Sequence, residues 1–518
     1  MRVKNEKSRK TKPEIPQSYL KETSFCISKA ADNTSVSLVI MHRVSGGVLA
    51  RLCGSRISRK NIENVCNLSR SSVSLQNGPK IAVVGAGPAG FYAAQHIAQA
   101  RPDAIIDIYE RLPVPFGLVR FGVAPDHPDV KKCISTFNKT ADLPNITFYG
   151  NTALGRDISL KQLKKCYNSV LLSYGAEEDQ RLGIPGEHLQ NVTAARSVVS
   201  MYNGLPGAQD VKINLDTETV VIIGIGNVAV DVARLILTPI DVLRKYDTTE
   251  DWLEKLRSSR VKRVVLVGRR GPLNISFTVK ELREMLKLEN VRPIFHKKQY
   301  LPFEEQVAQQ ERGRKRVIEL LFKSALTEPE PQTAERWANA KKEMELKLLR
   351  SPLEFLPGRD GKSVEKIKLA VNVMKGDTVE ETKETEEIET GLVLRSIGYK
   401  SIQADKDLPF NDKKGVAINV DGRVSEGVYA AGWLATGPRG VIVDTMGTAF
   451  KIAANVVADL EKEQKKKPGR SGMPSLPKST SWEDWRKLEN IEIEAGKLIG
   501  RPKEKITSVS EMLSKIQS

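Results

Sequence analysis

Cysteine is scarce in this chain. Five occur in 518 residues, three of them (Cys26, Cys53 and Cys66) before residue 77, and there is no CxxC anywhere. Only Cys133 and Cys166 remain in the body, 33 positions apart. That excludes a zinc ribbon, a cysteine-ligated iron–sulfur cluster and a disulfide-exchange pair. Both body cysteines read as plain buried or half-buried thiols, and no metal site is expected. Long apolar runs are lacking too. None approaches the roughly 18 consecutive apolar residues of a membrane-spanning helix. Acid is the minority charge, 63 Asp/Glu against 81 Lys/Arg for a net of +18. Half of that excess lies in residues 1–77, which hold 14 Lys/Arg and 5 Asp/Glu. A basic balance serves general solubility, or it meets an acidic partner through a basic patch. The length suits two to three domains.

Residues 1–77 do not read as a folded domain. From Met41 the chain carries six Lys/Arg, one acid (Glu63) and many serines, with Arg and apolar residues at helical spacing. Arg-rich, Ser-rich and acid-poor is the pattern of a mitochondrial presequence. A disordered basic tail is the plainer alternative. Residues 1–40 hold four of the leader's five acids and fit a presequence poorly, so Met41 is the expected working start.

What is present is concentrated in residues 80–122. The apolar run Ile81 to Val84 leads into Gly85-Ala86-Gly87-Pro88-Ala89-Gly90, a helix-like segment follows, and a second apolar run, Ile105 to Tyr109, stops on Glu110. Strand, turn, helix, strand is the order of a dinucleotide-binding fingerprint. Gly85 suits the tight turn, Gly87 lets backbone N–H groups reach a pyrophosphate, and Gly90 lets helix and strand pack closely. Glu110, twenty residues past Gly90, is placed to accept hydrogen bonds from a ribose. An adenine dinucleotide is expected here.

The same logic returns 139 residues later. Val220 to Ile223 lead into Gly224-Ile225-Gly226-Asn227-Val228-Ala229. The next apolar strand, Val264 to Val267, ends not in an acid but in Gly268-Arg269-Arg270. A carboxylate would repel a 2′-phosphate, whereas two guanidiniums can clamp it. The second nucleotide is therefore expected to be NADPH. The alternative is an arginine pair on a solvated strand end.

Four further segments carry a resemblance: LPVPFGLVRFGVAPDHPDVK at 112–131, GNTALGRD at 150–157, GRRGPLNISFTVKELREM at 268–285 and GVYAAGWLATGPRGVIVDTMGTAF at 427–450. They resemble the adrenodoxin reductases, mitochondrial NADPH–ferredoxin oxidoreductases, and the likeness runs over roughly residues 80–518. It implies an α/β fold of two Rossmann-like, doubly wound dinucleotide-binding domains, the NADPH domain inserted into the FAD domain. The expected boundaries place a leader at 1–77, the opening segment of the FAD-binding domain at 78–178 and the NADPH-binding domain at 179–399. The closing segment of the FAD-binding domain, with a helical tail, is expected at 400–518.

For individual residues the resemblance implies FAD contacts at Leu118, Leu154, Trp433, Gly440, Val441 and Ile442. The last three open a helix whose N-terminus would favour negative charge on a reduced flavin. It implies NADPH contacts at Arg269, Arg270, Glu281 and again Gly440. His127 falls on the nicotinamide side of the flavin, with Asp231 and Glu284 nearby as candidate catalytic groups. By residue type alone, a His between Asp and Pro fixes a loop, and surface carboxylates are the default reading of the other two. Arg312 and Arg316, four apart on one helix face, dock an acidic ferredoxin in the resemblance, and otherwise are a solvated basic face. Residues 303–350 read as a charged helical tract, and residues 351–399 as short strands around an acidic, poorly ordered excursion. Ser481 to Asp484 reads as a helix cap.

The expectation is an FAD-dependent enzyme that takes hydride from NADPH and passes single electrons to a mitochondrial 2Fe–2S ferredoxin. A flavin accepts two electrons and releases them singly. The matrix is the expected compartment, with peripheral association with the inner membrane and no nucleic-acid partner. Alternatives are an FAD/NADPH monooxygenase, or a glutamate-synthase-like reductase subunit, whose cysteine-ligated clusters this chain cannot supply. A non-catalytic nucleotide-binding protein would purify without NADPH oxidation.

Overall fold

The computed structural model describes residues 78–462 and 465–517, with the backbone of three leader strands. Those strands, Thr23–Lys29, Val36–Val44 and Gly47–Leu52, form an antiparallel sheet within a separate unit, Met1–Ser74. The presequence expectation otherwise falls outside the described residues.

In the unit Leu75–Ser518 two six-stranded sheets each bury both faces. The first has Lys80–Val84 at its centre, flanked by Ile105–Tyr109 and Ile146–Tyr149 on one side. On the other lie Ser169–Leu172, Val428–Ala430 and Arg423–Ser425. All are parallel except the last pair. Ile81 and Val83 point into one apolar cluster, Ala82 and Val84 into another. This explains why the strands read as unbroken apolar runs rather than alternating ones.

The second sheet is wholly parallel, in the order Val291–Phe295, Lys342–Lys347, Arg263–Val267, Thr219–Ile223, Leu392–Arg395, Val192–Ala194. The chain thus leaves the first sheet after Leu172, builds the second, and returns at Arg423. The two crossings touch: Glu178–Asp179 pairs antiparallel with Tyr399–Lys400. No helix among the described residues is long and apolar enough to cross a membrane.

Two sequence expectations fail here. The helical tract 303–350 ends in a strand, Lys342–Lys347, because Met344 and Leu346 fill the core while buried Glu345 accepts from His296 at 2.6 Å and pairs with Arg263. The acidic excursion is no disordered loop. Arg350–Pro357, Val364–Lys375 and Thr378–Glu389 form an antiparallel meander, its last two strands joined at a tight turn on Gly376 with φ +60°. Several of its acids gain cationic neighbours: Glu386 meets Lys347 and Arg350 at 3.3 and 3.0 Å, and Glu387 meets Lys366 at 3.7 Å. Charge that would unfold an isolated segment is offset across the strands.

Candidate active site

The first turn lies at the carboxyl edge of the first sheet. Gly85 has φ +106°, and its N–H donates to the Tyr109 carbonyl at 2.7 Å. A Cβ at Gly90 would stand 2.1 Å from the Gly85 carbonyl oxygen, so only glycine lets the helix Pro88–Ala100 start this close to the strand. Ala89 and Gly90 are buried in that first turn. Gly87 is different: a Cβ there would meet no protein atom within 4 Å. It caps the helix without any side-chain hydrogen bond, which leaves the N–H groups of the first turn for an anion. Glu110 sits beside it, its carboxylate accepting from Ala86 N at 2.9 Å and Leu112 N at 3.1 Å. Burial raises the Glu110 pKa, and those two N–H donors oppose the rise. Lone pairs remain on both oxygens for a ribose.

Other segments converge on this turn. Phe116 N donates to the Ala86 carbonyl at 2.8 Å, and a Cβ at Gly117 would lie 3.3 Å from the Gly87 α-carbon, so the loop carrying Leu118 lies on the turn. A Cβ at Gly432 would lie 2.7 Å from Ala89 Cβ, which brings Trp433 to the same place. Trp433 packs on Tyr399 with ring centroids 5.8 Å apart. Val441 caps the 19-residue helix Ile442–Leu460, its N–H held by Asp444 at 2.9 Å, with Gly440 at φ +79° just before. Leu154 packs on the opposite face of the sheet, in the cluster of Val84, Leu172 and Leu434.

The second turn repeats the geometry. Gly224 has φ +121° and donates to the Val267 carbonyl at 2.8 Å, and a Cβ at Gly226 would meet nothing within 4 Å. The helix Asn227–Leu237 begins there, with Ile225 and Ala229 buried and Val228 partly so. Arg269 and Arg270 follow the Arg263–Val267 strand, both exposed and both without a side-chain partner among the described residues. Their loop is fastened from behind. Asn372 of the meander donates to the Arg269 carbonyl and to Ser351 Oγ, each at 2.9 Å. Glu281 is buried and accepts from the Thr278 hydroxyl, while Thr278 N donates to Asn227 Oδ1 at 3.1 Å. Asn227 and Glu281 are therefore joined through one residue.

His127, Asp231 and Glu284 meet around a residue that no motif in the chain had pointed to. Arg234 stands in their midst, 4% exposed: it pairs with Asp126, donates to Asp231 at 2.6 Å and lies 3.6 Å from Glu284. His127 Nε2 is 2.9 Å from Glu284 Oε2, and Nδ1 is 4.0 Å from Asp231. Burial lowers the His127 pKa, but the Glu284 hydrogen bond and the Asp231 charge outweigh it and the net is a rise. Burial works against the Glu284 charge as well, yet His127 and Arg234 hold its pKa below the usual range. Ligand-type atoms of His127, Asp231 and Glu284 fall within 4.8 Å of one another, and the positive charge among them is the Arg234 guanidinium. Asp126 and Arg234 were missed because their only signals were a loop acid and an i,i+3 pair. A cleft of about 490 Å³ opens beside them, lined by Tyr246, Lys280 and Arg283 among others.

Arg312 and Arg316 lie apart from this cluster, exposed on the helix Arg312–Leu326 and without partners among the described residues. Arg314 between them is committed to structure, donating to the Leu273 and Ile275 carbonyls at 2.9 and 3.0 Å. Cys133 is half-buried and Cys166 buried, and both are free thiols.

Residues 79–287 match the family model described as pyridine nucleotide-disulphide oxidoreductase. The chain is 46% identical over 451 residues to the human protein named NADPH:adrenodoxin oxidoreductase, mitochondrial, covering 84% of this chain and 91% of that one. It is 44% identical over 464 residues to the protein of that name from Salvelinus fontinalis, covering 87% and 93%. A solved structure of Mycobacterium tuberculosis FprA in complex with NADPH superposes with a TM-score of 0.78 at 34% identity, over 85% of this chain and 100% of that one.

Proposed function

This chain belongs to the NADPH:adrenodoxin oxidoreductase family, and from that premise we propose which of its residues do the work. The enzyme is an FAD-dependent NADPH:ferredoxin reductase of the adrenodoxin type, and it is mitochondrial. FAD is assigned to the first turn, with Gly85, Gly87, Pro88, Ala89, Gly90 and Glu110 at the adenosine diphosphate, and Leu118, Leu154, Trp433, Gly440, Val441 and Ile442 toward the flavin. NADPH is assigned to residues 224–228 with Arg269, Arg270 and Glu281, and to Gly440, which both assignments share.

One observation carries this reading. Two turns of like geometry end their neighbouring strands differently, in a carboxylate held by two backbone N–H groups and in two guanidiniums without a partner among the described residues. The carboxylate suits ribose hydroxyls, and the guanidiniums suit a 2′-phosphate. Both cradles fit a dinucleotide, since Gly87 and Gly226 face open space at helix N-termini. When bound, flavin supplies the chemistry: it accepts two electrons together from NADPH and releases them singly.

The chain's own residues orient and shield. His127 holds a proton at Nε2 against Glu284, and Arg234 neutralises the remaining acids around it. This links the loop that carries Leu118 to the helices of the second sheet. We assign His127, Asp231 and Glu284 the tasks of orienting the nicotinamide and holding protons beside it, without a covalent role.

The iron–sulfur partner is an adrenodoxin-type ferredoxin, and we place its docking at Arg312 and Arg316. Among the described residues these have no partner whereas Arg314 does, and they lie on a helix whose Val317, Ile318 and Leu321 pack in the core of the sheet that leads into Arg269. The matrix, a 2Fe–2S centre in the partner and peripheral association with the inner membrane rest on the family resemblance alone.

The test is an acceptor assay on the purified protein. NADPH should drive reduction of a 2Fe–2S ferredoxin far faster than NADH does, and rising salt should weaken the ferredoxin step as the docking charges are screened. Equal rates with the two nucleotides would overturn the assignment of the second turn.

A further inference from the structure

Near the end of the chain, residues 501–506 run between two lobes, the first built on the sheet of Lys80–Val84 and the second on the sheet of Thr219–Ile223, and are held there by buried charge. Toward the first lobe, Arg120 pairs with Glu492 of the helix Trp482–Leu498 and lies over the Phe121 and Trp485 rings at 5.0 and 5.1 Å. Glu492, wholly buried, also accepts from Ile506 N at 3.0 Å. Toward the second lobe, Arg501 pairs with Glu250 and donates to the Thr248 carbonyl at 3.3 Å.

Lys505 lies between. Its Nζ is 3.0 Å from Asp247 Oδ2 and 3.3 Å from the Arg120 carbonyl, with the side chain 1% exposed. Lys131 Nζ reaches the other oxygen of Asp247 at 2.8 Å. Two ammonium groups thus share one carboxylate out of water. Burial pushes the Lys505 pKa down to about 7, with Asp247 opposing and Lys131 and Arg120 adding to the fall. Burying such groups is costly, and well-packed apolar side chains would do as well for stability alone. What a buried ionic knot adds is a defined geometry, because Lys505 is satisfied only where Asp247 and the Arg120 carbonyl stand together.

That geometry bears on the reaction. Arg120 and Lys131 lie on the same stretch of chain as Leu118 and His127, residues 118–133, so the knot pins this stretch to the second lobe. We propose that Lys505, with Asp247 and Lys131, is a positioning residue for hydride transfer, setting the approach of the nicotinamide to the flavin. This rests on the assignment of the two turns to FAD and NADPH. Neither glycine-rich turn includes a residue of the knot, so the two phosphate cradles are independent of it. The transfer is not, since misplacement by about 1 Å can cost roughly a hundredfold in rate.

The experiment compares Lys505→Met, Lys505→Arg and Lys131→Met holoenzymes with the wild type. Flavin reduction by NADPH is followed by stopped flow, and stacking of the nucleotides by the long-wavelength charge-transfer absorbance with NADP+. Lys505→Met is expected to keep its FAD and its NADPH affinity, lose charge-transfer absorbance and reduce its flavin about tenfold more slowly or worse. Lys505→Arg, which keeps a cation on Asp247, recovers most of the rate. A Lys505→Met holoenzyme within about twofold of wild type overturns the proposal. Should that variant fail to hold FAD, Lys131→Met, at the edge of the knot with 12% of its side chain exposed, decides by the same criteria. Failure of the turn assignment shows separately, as an Arg269→Ala variant with unchanged NADPH affinity.

Discussion

His127 Nε2 lies 2.9 Å from a Glu284 oxygen and 3.2 Å from the Arg234 guanidinium, so one nitrogen faces an acceptor and a donor at once. Only one contact can be a hydrogen bond at a time. A proton on Nε2 satisfies Glu284, and a bare Nε2 satisfies Arg234. The two carboxylates favour the first arrangement, and the raised His127 pKa expresses that preference.

Glu284→Gln tests it. With a folded-state value above the ordinary 6.5, the stabilisation from protonated His127 is complete below the unfolded pKa and is lost as pH rises through the folded one. Removing the Glu284 charge takes away the hydrogen bond and charge that oppose burial most strongly and leaves only Asp231 to oppose it, so the ring should titrate lower than in the wild type. Histidine NMR is practical, since the chain has 5 histidines. An unchanged titration would mean that the contact carries no charge pairing.

Gly87 and Gly90 should separate binding from folding. Gly90→Ala drives a Cβ to 2.1 Å from the Gly85 carbonyl and should cost about 3 kcal/mol or more in thermal unfolding. Gly87→Val meets no protein atom at its Cβ, so the apoprotein should unfold within about 1 kcal/mol of wild type. Its flavin fluorescence should instead report loss of FAD, because the side chain fills the cradle.

Arg269→Ala and Arg270→Ala should each raise the KM for NADPH about tenfold or more, the range of a lost charge-assisted hydrogen bond. NADH kinetics should barely move. A similar rise for both nucleotides would place the arginines elsewhere than at a 2′-phosphate.

For docking, Arg312→Glu with Arg316→Glu should raise the KM for ferredoxin at least tenfold and flatten its salt dependence. Reduction of a small neutral quinone should be unaffected. Arg314→Ala differs in kind, since it frees two carbonyls and should lower the unfolding temperature.

Asp107, buried in the first sheet, accepts from the Tyr167 hydroxyl at 2.7 Å. Burial raises its pKa to about 6, with Tyr167, Arg470 and Lys80 opposing. A carboxyl raised on folding keeps its proton longer folded than unfolded. Its contribution to stability is therefore greatest below about 3.8 and falls away as pH rises to about 6. Relative to wild type, Asp107→Asn should gain up to about 3 kcal/mol of unfolding free energy as the pH is raised from about 4 to about 6.5. A constant difference across that range would contradict it.

Both glycine-rich turns could be read from the sequence because their signals are local. Gly85 and Gly224 sit at positive φ, Gly87 and Gly226 face open space, and each follows an apolar strand. Such features depend on residues near in the chain, where backbone sterics and helix capping act. The Ser481 cap was equally legible, with Ser481 Oγ accepting from Asp484 N at 3.1 Å. The acidic strand Thr378–Glu389 was not, because what orders it is a set of lysines and arginines on other strands.

Sequence alone thus determined the groups offered at each strand end: glycine where the backbone must come close, a carboxylate after one strand and a guanidinium pair after the other. Only the tertiary structure decided which distant charges meet. Arg234 among Asp126, Asp231 and Glu284, and Lys505 on Asp247 beside Lys131, join residues up to hundreds of positions apart. No periodicity or spacing encodes those meetings, because they follow from how two sheets and a returning tail pack once water has been expelled from between them.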